Sequence, residues 1–207
     1  MNAMSEKNAD LEDASEMRRR YSPLVAQYGD SFRAVDWGSE VGQLKRFEVL
    51  LAATDFENAS ILDVGCGLGH LVEHLEFRGF KGKYLGVDIV PEMIEKAQAV
   101  HKNADFKLID CLGDLDGIQP DFVVASGVFA FSDNDRFHAT IQRLFAITGK
   151  VLAVNSLSSW SDTAARNEFH ADPVETFRFC SGLTKKVVLR HDYFPHDFSV
   201  YLYKTQM

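Results

Sequence analysis

The sequence predicts an α/β fold: a doubly wound, mostly parallel seven-stranded sheet closed by a C-terminal antiparallel hairpin. Three observations carry this expectation. A short apolar run, Ile61-Leu62-Asp63-Val64, enters a glycine-rich bend, Gly65-Cys66-Gly67-Leu68-Gly69, that opens a helical pattern at His70. Short apolar runs then alternate with helical patterns as far as Asn155. Finally, the last two strand-like runs are joined by too few residues for a parallel crossover, so they must pair antiparallel.

At 207 residues and 46% hydrophobic, the chain suits one well-cored unit. A formal charge of −8 argues against a standing affinity for phosphate backbones or anionic membranes, which need clustered Lys and Arg, and the run Arg18-Arg19-Arg20 reads as a solvated helix face, so nucleic acid and membrane surfaces are disfavoured as partners. Cys66, Cys111 and Cys180 are odd in number, widely spaced and without a Cys-x-x-Cys, as in a reducing, cytoplasmic setting. The polar first 20 residues hold no signal-peptide core, and residues 1 to about 12 are expected to be disordered.

Residues 1–57 are expected to form an N-terminal helical extension or lid, and residues 58–207 the main domain, within one compact body. Ser22-Pro23 reads as a helix start and Gly29 as its stop. After Ser39 a second helix places Val41, Leu44, Phe47, Leu50 and Leu51 on a buried face, with Gln43, Lys45, Arg46 and Glu48 turned away. The first strand follows, with Ile61, Leu62 and Val64 buried on both faces of a parallel sheet.

The bend after it lets a ligand approach bare backbone, beside the unpaired N–H groups of a helix N-terminus. Leu71, Val72 and Leu75 form the buried stripe of the next helix. Strand Tyr84–Val87 ends at Asp88, helix Pro91–Val100 follows, and strand Phe106–Ile109 ends at Asp110. Strand Phe122–Ala125, helix Asp135–Ile147, strand Val151–Asn155 and the hairpin 185–193 and 198–204 complete the order.

Asp88 lies 19 residues beyond Gly69, where a doubly wound fold places an acidic acceptor for ribose hydroxyls. The sixth place of a dinucleotide glycine pattern is His70 rather than Gly or Ala, which disfavours a pyrophosphate. His70-Leu71-Val72-Glu73-His74 also fits the inverted zinc-peptidase spacing H-x-x-E-H. The glycine bend explains the neighbourhood without metal, so no metal site is assigned and His74 is expected to face solvent.

The element order, the hairpin and the motif Asp63-x-Gly65-x-Gly67-x-Gly69 together resemble the class I S-adenosylmethionine-dependent methyltransferases. The likeness covers residues 58 to 155 closely and implies a Rossmann-like methyltransferase fold. It implies S-adenosylmethionine as cofactor and S-adenosylhomocysteine as product. It further implies that Gly65, Cys66, Gly67 and Gly69 pass under the amino-acid half of the cofactor, and that Asp63 contacts its ammonium group or orders the loop. Asp88 would take the ribose, Ile89 would pack on the purine, and Asp110 and the Cys111 backbone would take the adenine, with Ser126 at the end of the fourth strand. Taken singly, Asp88 and Asp110 also suit strand-end caps.

Tyr28 and Arg46 are expected in the lid, Arg46 pairing with the cofactor carboxylate, together with Tyr21, Trp37 and Gln43. Phe129 and Phe131 are expected to wall the methyl site. His191, His170 and Tyr193 are the candidate catalytic residues, as general bases for an acceptor that must lose a proton. A looser likeness across 37–47 and 191–203 is to small bacterial methyltransferases acting on small molecules. The expected reaction is methyl transfer to an oxygen or nitrogen of a small-molecule acceptor, such as a sugar or secondary metabolite, by a monomer or homodimer. A protein or RNA methyltransferase, or a non-catalytic S-adenosylmethionine-binding protein, remains the alternative.

Overall fold

The computed structural model describes residues 3–110, 113, 115, 117–163 and 167–204, with side chains from residue 15 onward. Helix α1 runs Ala3–Tyr28 with Pro23 inside it, so no separate helix opens at Ser22. Proline there forgoes one backbone hydrogen bond, and the helix continues through it. It stops where expected: Gly29 turns left-handed at φ 64° and donates its N–H to the Val25 carbonyl at 3.2 Å. A 3-10 turn, Phe32–Val35, then leads to α2, Glu40–Leu51, whose N-cap Ser39 accepts from the Gly42 N–H.

The buried face of α2 differs from the apolar spacing. Val41 and Leu44 are exposed, while Gly42, Gln43, Phe47, Val49, Leu50 and Leu51 are buried. Rotation of the helix follows from tertiary partners, because Gln43 is drawn inward to the ring of His70 at 3.1 Å.

The main sheet contains β1 (Ser60–Val64), β2 (Lys83–Asp88), β3 (Asp105–Leu108), β4 (Phe122–Ala125), β5 (Val151–Leu157), β6 (Val187–Phe194) and β7 (Asp197–Tyr203). Helices α3 (His70–Phe77), α4 (Pro91–Val100) and α5 (Asn134–Ile147) cross between the parallel strands. Helix α6, Pro173–Leu183, lies in a stretch the sequence left unassigned; its N-cap Asp172 accepts from the Val174 and Glu175 N–H groups at 2.8 Å each.

Strand order is β3-β2-β1-β4-β5-β7-β6. Strands β1 to β5 pair parallel, and β7 inserts antiparallel between β5 and β6. Alternate residues feed opposite layers. Ile61, Phe122, Val124 and Tyr201 pack with α2, α3 and α4, while Leu62, Val123, Leu152 and Val200 pack with α5 and α6. The chain reverses direction of winding between β1 and β4, and the crevice above their carboxyl ends is where such a sheet can hold a ligand. A third apolar cluster, Val25, Ala34, Leu68, Val90 and Met93, packs α1 and the 3-10 turn against the glycine bend and α4.

Candidate active site

Two adjoining cavities open above this crevice, of about 160 and 370 Å³. The first is floored by the glycine bend. After β1, the Gly65 and Cys66 N–H groups both donate to the Val87 carbonyl, at 2.8 and 3.0 Å, which folds the chain sharply back over β2. Gly65 and Gly67 have φ of 70° and 53°, and each abuts a neighbour. A Cβ at Gly65 would strike Val128, and one at Gly67 would lie 2.8 Å from Val35 Cγ1. Both glycines line the cavity. Gly69 does not; it caps α3 in a left-handed conformation, pressed against His101 and Phe106. Cys66 is likewise turned down into the core beside Gly86, and burial pushes its thiol pKa well up.

Asp88 lines the first cavity and braces the bend. Its Oδ2 accepts from the Gly67 N–H and its Oδ1 from the Val90 N–H, both at 2.9 Å. Burial raises its pKa, while those backbone donors pull it back. Ile89, Ile109 and Asp110 continue the wall, Asp110 lying two residues past the end of β3 and 3.9 Å from Arg136. Cys111 lies outside the described residues. Ser126, just beyond β4, lines this cavity and has a buried Oγ with no hydrogen-bond partner.

Asp63 sits beneath the loop rather than in the cavity. Only 3% exposed, it accepts from the Tyr84 hydroxyl at 2.6 Å, and burial pushes its pKa up to about 7. Tyr28 packs into the third apolar cluster, and the tyrosine that reaches the cavity from α1 is Tyr21, beside Met17. Burial pushes the Tyr21 hydroxyl pKa up to about 12.

Arg46 does not reach the first cavity. It forms an ion pair with the buried Asp197 and lies between the rings of Trp37, 4.6 Å, and Phe194, 5.3 Å, in the wall of the second. Trp37, Phe129 and Phe131 border both spaces. Gly127 lets the Trp37 ring lie close, since a Cβ there would be 2.8 Å from it, and Asn155 Oδ1 fixes the Gly127 N–H at 3.0 Å. One face of Phe131 is covered by Arg20 at 4.0 Å, itself paired with Asp36 at 2.6 Å.

Neither cavity is lined by any of the three candidate bases. His191 hydrogen-bonds Ser158 Oγ at 2.8 Å beside Trp160. His170 donates its Nδ1–H to the Glu168 carbonyl at 3.0 Å. Tyr193 meets Ser199 Oγ at 2.9 Å and packs on the α2 side of the sheet. In a strand, adjacent side chains point to opposite faces, so on the outermost strand Arg190 and Asp192 pair with each other at 2.7 and 2.9 Å while His191 turns to the other side. The second cavity is lined instead by His196, Asp197, Glu168 and Asp36, with Arg46 and Tyr21. The signal for His196 and Asp197 is the tight Pro195-His196 connection between β6 and β7.

The two imidazoles of the H-x-x-E-H run have protein partners. His70 bridges Gln43 at 3.1 Å and the Asp30 carbonyl at 2.9 Å, and His74, its side chain only 11% exposed instead of solvent-facing, meets Glu48 at 2.8 Å.

Comparison with known proteins agrees with this architecture. The family described as "Methyltransferase domain" matches residues 37–185. The Mycobacterium tuberculosis (strain H37Rv) protein named "Putative methyltransferase Rv1506c" is 35% identical over 159 residues, covering 70% of this chain and 93% of that protein. Among solved structures, magnesium protoporphyrin IX methyltransferase of Synechocystis PCC 6803 with bound SAH superposes with a TM-score of 0.69 at 16% identity, over 93% of this chain and 100% of that one. The DhpI-SAM-HEP complex gives 0.67 at 17% identity, over 97% and 99%. By its sequence match and its strand order, the chain belongs to the methyltransferase-domain family and is a class I S-adenosylmethionine-dependent methyltransferase.

Proposed function

We propose that the enzyme methylates an oxygen or nitrogen of a small molecule, with the cofactor in the first cavity and the acceptor in the second. The observation that carries this reading is that the two spaces share one wall, Trp37, Phe129 and Phe131, so that ligands in them would meet there.

The lining residues fit the cofactor. The unpartnered Ser126 Oγ, the bare backbone at Gly65 and Gly67, and two carboxylates on successive strand ends suit a ligand with an amino-acid end and a ribose. Gly65 and Gly67 would lie under the amino-acid portion, Asp88 would accept from the ribose, and Ile89 and Asp110 would hold the adenine. Asp88 has capacity for this, because a carboxylate offers about four acceptor positions and two are used by backbone. Bound S-adenosylmethionine supplies a methyl on a positively charged sulfur, already electrophilic.

What remains for the chain is to align a nucleophile and exclude water, an arrangement that lowers a barrier by at most about 7–11 kcal/mol. Met17, Tyr21, Val35 and Trp37, all from residues 1–57, cover the two spaces, which supports reading that segment as a lid on a main domain of 58–207. His196, facing the second cavity 3.8 Å from Asp197, is placed to receive a proton from the acceptor, and Glu168 lies on the same wall.

The chain's net charge of −8 supports a small-molecule acceptor over RNA, and the location we propose is the cytoplasm. Among the described residues no helix is long and apolar enough to cross a membrane. The test is to incubate the protein with methyl-labelled S-adenosylmethionine and separated small-molecule, protein and RNA fractions of cell extract. Label in the small-molecule fraction supports the proposal; label confined to protein or RNA, or no transfer to any fraction, contradicts it.

A further inference from the structure

The second cavity has a charge arrangement that bears on what can enter it. Its deepest charged groups cancel. Asp197, 2% exposed, is in direct contact with Arg46, whose side chain is 11% exposed and held between two aromatic rings. The guanidinium therefore offers planar surface but no net charge. Ser156, on β5, lines the same cavity and is buried, with an Oγ that has no hydrogen-bond partner. The remaining acids sit further out: Asp36, paired with Arg20, and the half-buried Glu168. Of the three carboxylates on this wall, Asp197 is paired with Arg46 and Asp36 with Arg20, which leaves Glu168 as the excess charge, with His196 neutral unless protonated. An anion would meet the carboxylate of Glu168 and guanidinium groups already neutralised by Asp36 and Asp197, whereas a neutral hydroxyl could pair with the orphaned serine.

Building on the function proposed above, we infer that the second cavity selects an uncharged, hydroxyl-bearing acceptor over a carboxylate or phosphate, with the Arg46–Asp197 pair setting that preference and Ser156 holding the hydroxyl. Desolvating an anion beside carboxylates with no free cation is costly, so the discrimination comes from exclusion as much as from attraction.

The experiment uses the full chain saturated with S-adenosylhomocysteine and two probes sharing one ring, p-cresol and 4-methylbenzoate. Binding is followed by the indole N–H signal of Trp37 in ¹⁵N spectra. In the wild type, p-cresol should bind at least 10-fold more tightly than 4-methylbenzoate. Asp197→Asn leaves Arg46 unopposed and should tighten 4-methylbenzoate at least 10-fold with little change for p-cresol. Should that variant fail to fold, Glu168→Gln, which alters a partly exposed residue, should tighten 4-methylbenzoate about 3-fold and leave p-cresol alone.

Equal or tighter binding of 4-methylbenzoate by the wild type, equal changes for both probes in the folded variants, or no response of Trp37 to either probe overturns the inference. Calorimetry with S-adenosylhomocysteine separates the two levels: absence of cofactor binding removes the function proposed above, whereas cofactor binding with the wrong probe preference removes only this inference.

Discussion

Replacing Asp88 with alanine should damage the fold and the cofactor site by separable amounts. The carboxylate accepts two backbone N–H groups, from Gly67 and Val90, at a position 8% exposed to solvent. Hydrogen bonds to a charged group contribute about 1.5–3 kcal/mol each. The favourable total is reduced because burial raises the pKa of this carboxyl, a sign that its ionised form pays a desolvation cost. A net loss of about 2–4 kcal/mol is expected, which in a chain of this size lowers Tm by roughly 4–16 °C. Separately, losing the acceptor for ribose hydroxyls should weaken S-adenosylhomocysteine about 10- to 100-fold, or about 1.4–2.7 kcal/mol. Thermal unfolding without ligand measures the first effect, and calorimetry well below the variant's Tm measures the second. Asp88→Asn, which can still accept one N–H, should recover part of the stability and less of the affinity. A folded Asp88→Ala protein that binds S-adenosylhomocysteine as the wild type does would refute the ribose assignment, and an unchanged Tm would refute the brace.

Other consequences follow from single contacts. Asp63, with its pKa at about 7 in the fold against about 3.9 when unfolded, keeps its proton in the native state over a range where the unfolded chain has released it. Stability attributable to this residue is therefore full below about pH 4, falls by about 4 kcal/mol as pH rises to about 7, and is level above that. Urea titrations of Asp63→Asn should lack this decline relative to wild type, and parallel pH profiles for the two proteins would contradict the burial argument. His70→Ala removes the bridge to Gln43 and the Asp30 carbonyl, so it should cost about 1–2 kcal/mol and speed amide exchange across the 3-10 turn and α2; unchanged exchange would show the bridge to be idle. His191→Ala should lose about 1 kcal/mol through its contact with Ser158 and leave S-adenosylhomocysteine affinity and methyl transfer intact. Abolished transfer by a folded His191→Ala protein would return that residue to the chemistry.

What could be read from the sequence was what depends on neighbours along the chain. The β1–bend–α3 unit is specified within a dozen residues, because apolar alternation, left-handed glycines and the α3 stripe at Leu71, Val72 and Leu75 each constrain local conformation. The β6–β7 hairpin was legible because two residues between strands leave no other connection. Features set by distant partners were not. The α2 face departs from its apolar spacing because Gln43 is buried by a bond to His70, 27 positions away, and Val41 is left in solvent. Pro23 looked like a helix start because proline favours a first turn, yet α1 passes through it.

The second cavity draws Arg46 from α2, Glu168 from the segment before α6 and Asp197 from β7, and no periodicity links them. His170, His191 and Tyr193 were plausible by residue type alone, and the fold gives each a partner away from the crevice. Asp88 was legible as a strand-end carboxylate, although its two backbone bonds show that the same group that faces the cavity also shapes the bend beside it.

The most direct measurement is a crystal structure of the protein soaked with S-adenosylhomocysteine. The account predicts density in the first cavity, with the amino-acid end over Gly65 and Gly67, ribose oxygens within hydrogen-bonding distance of Asp88, the adenine between Ile89 and the Asp110 side, and sulfur toward the wall formed by Trp37 and Phe129. A fully bound ligand lying elsewhere, or one whose ribose turns away from Asp88, would contradict it.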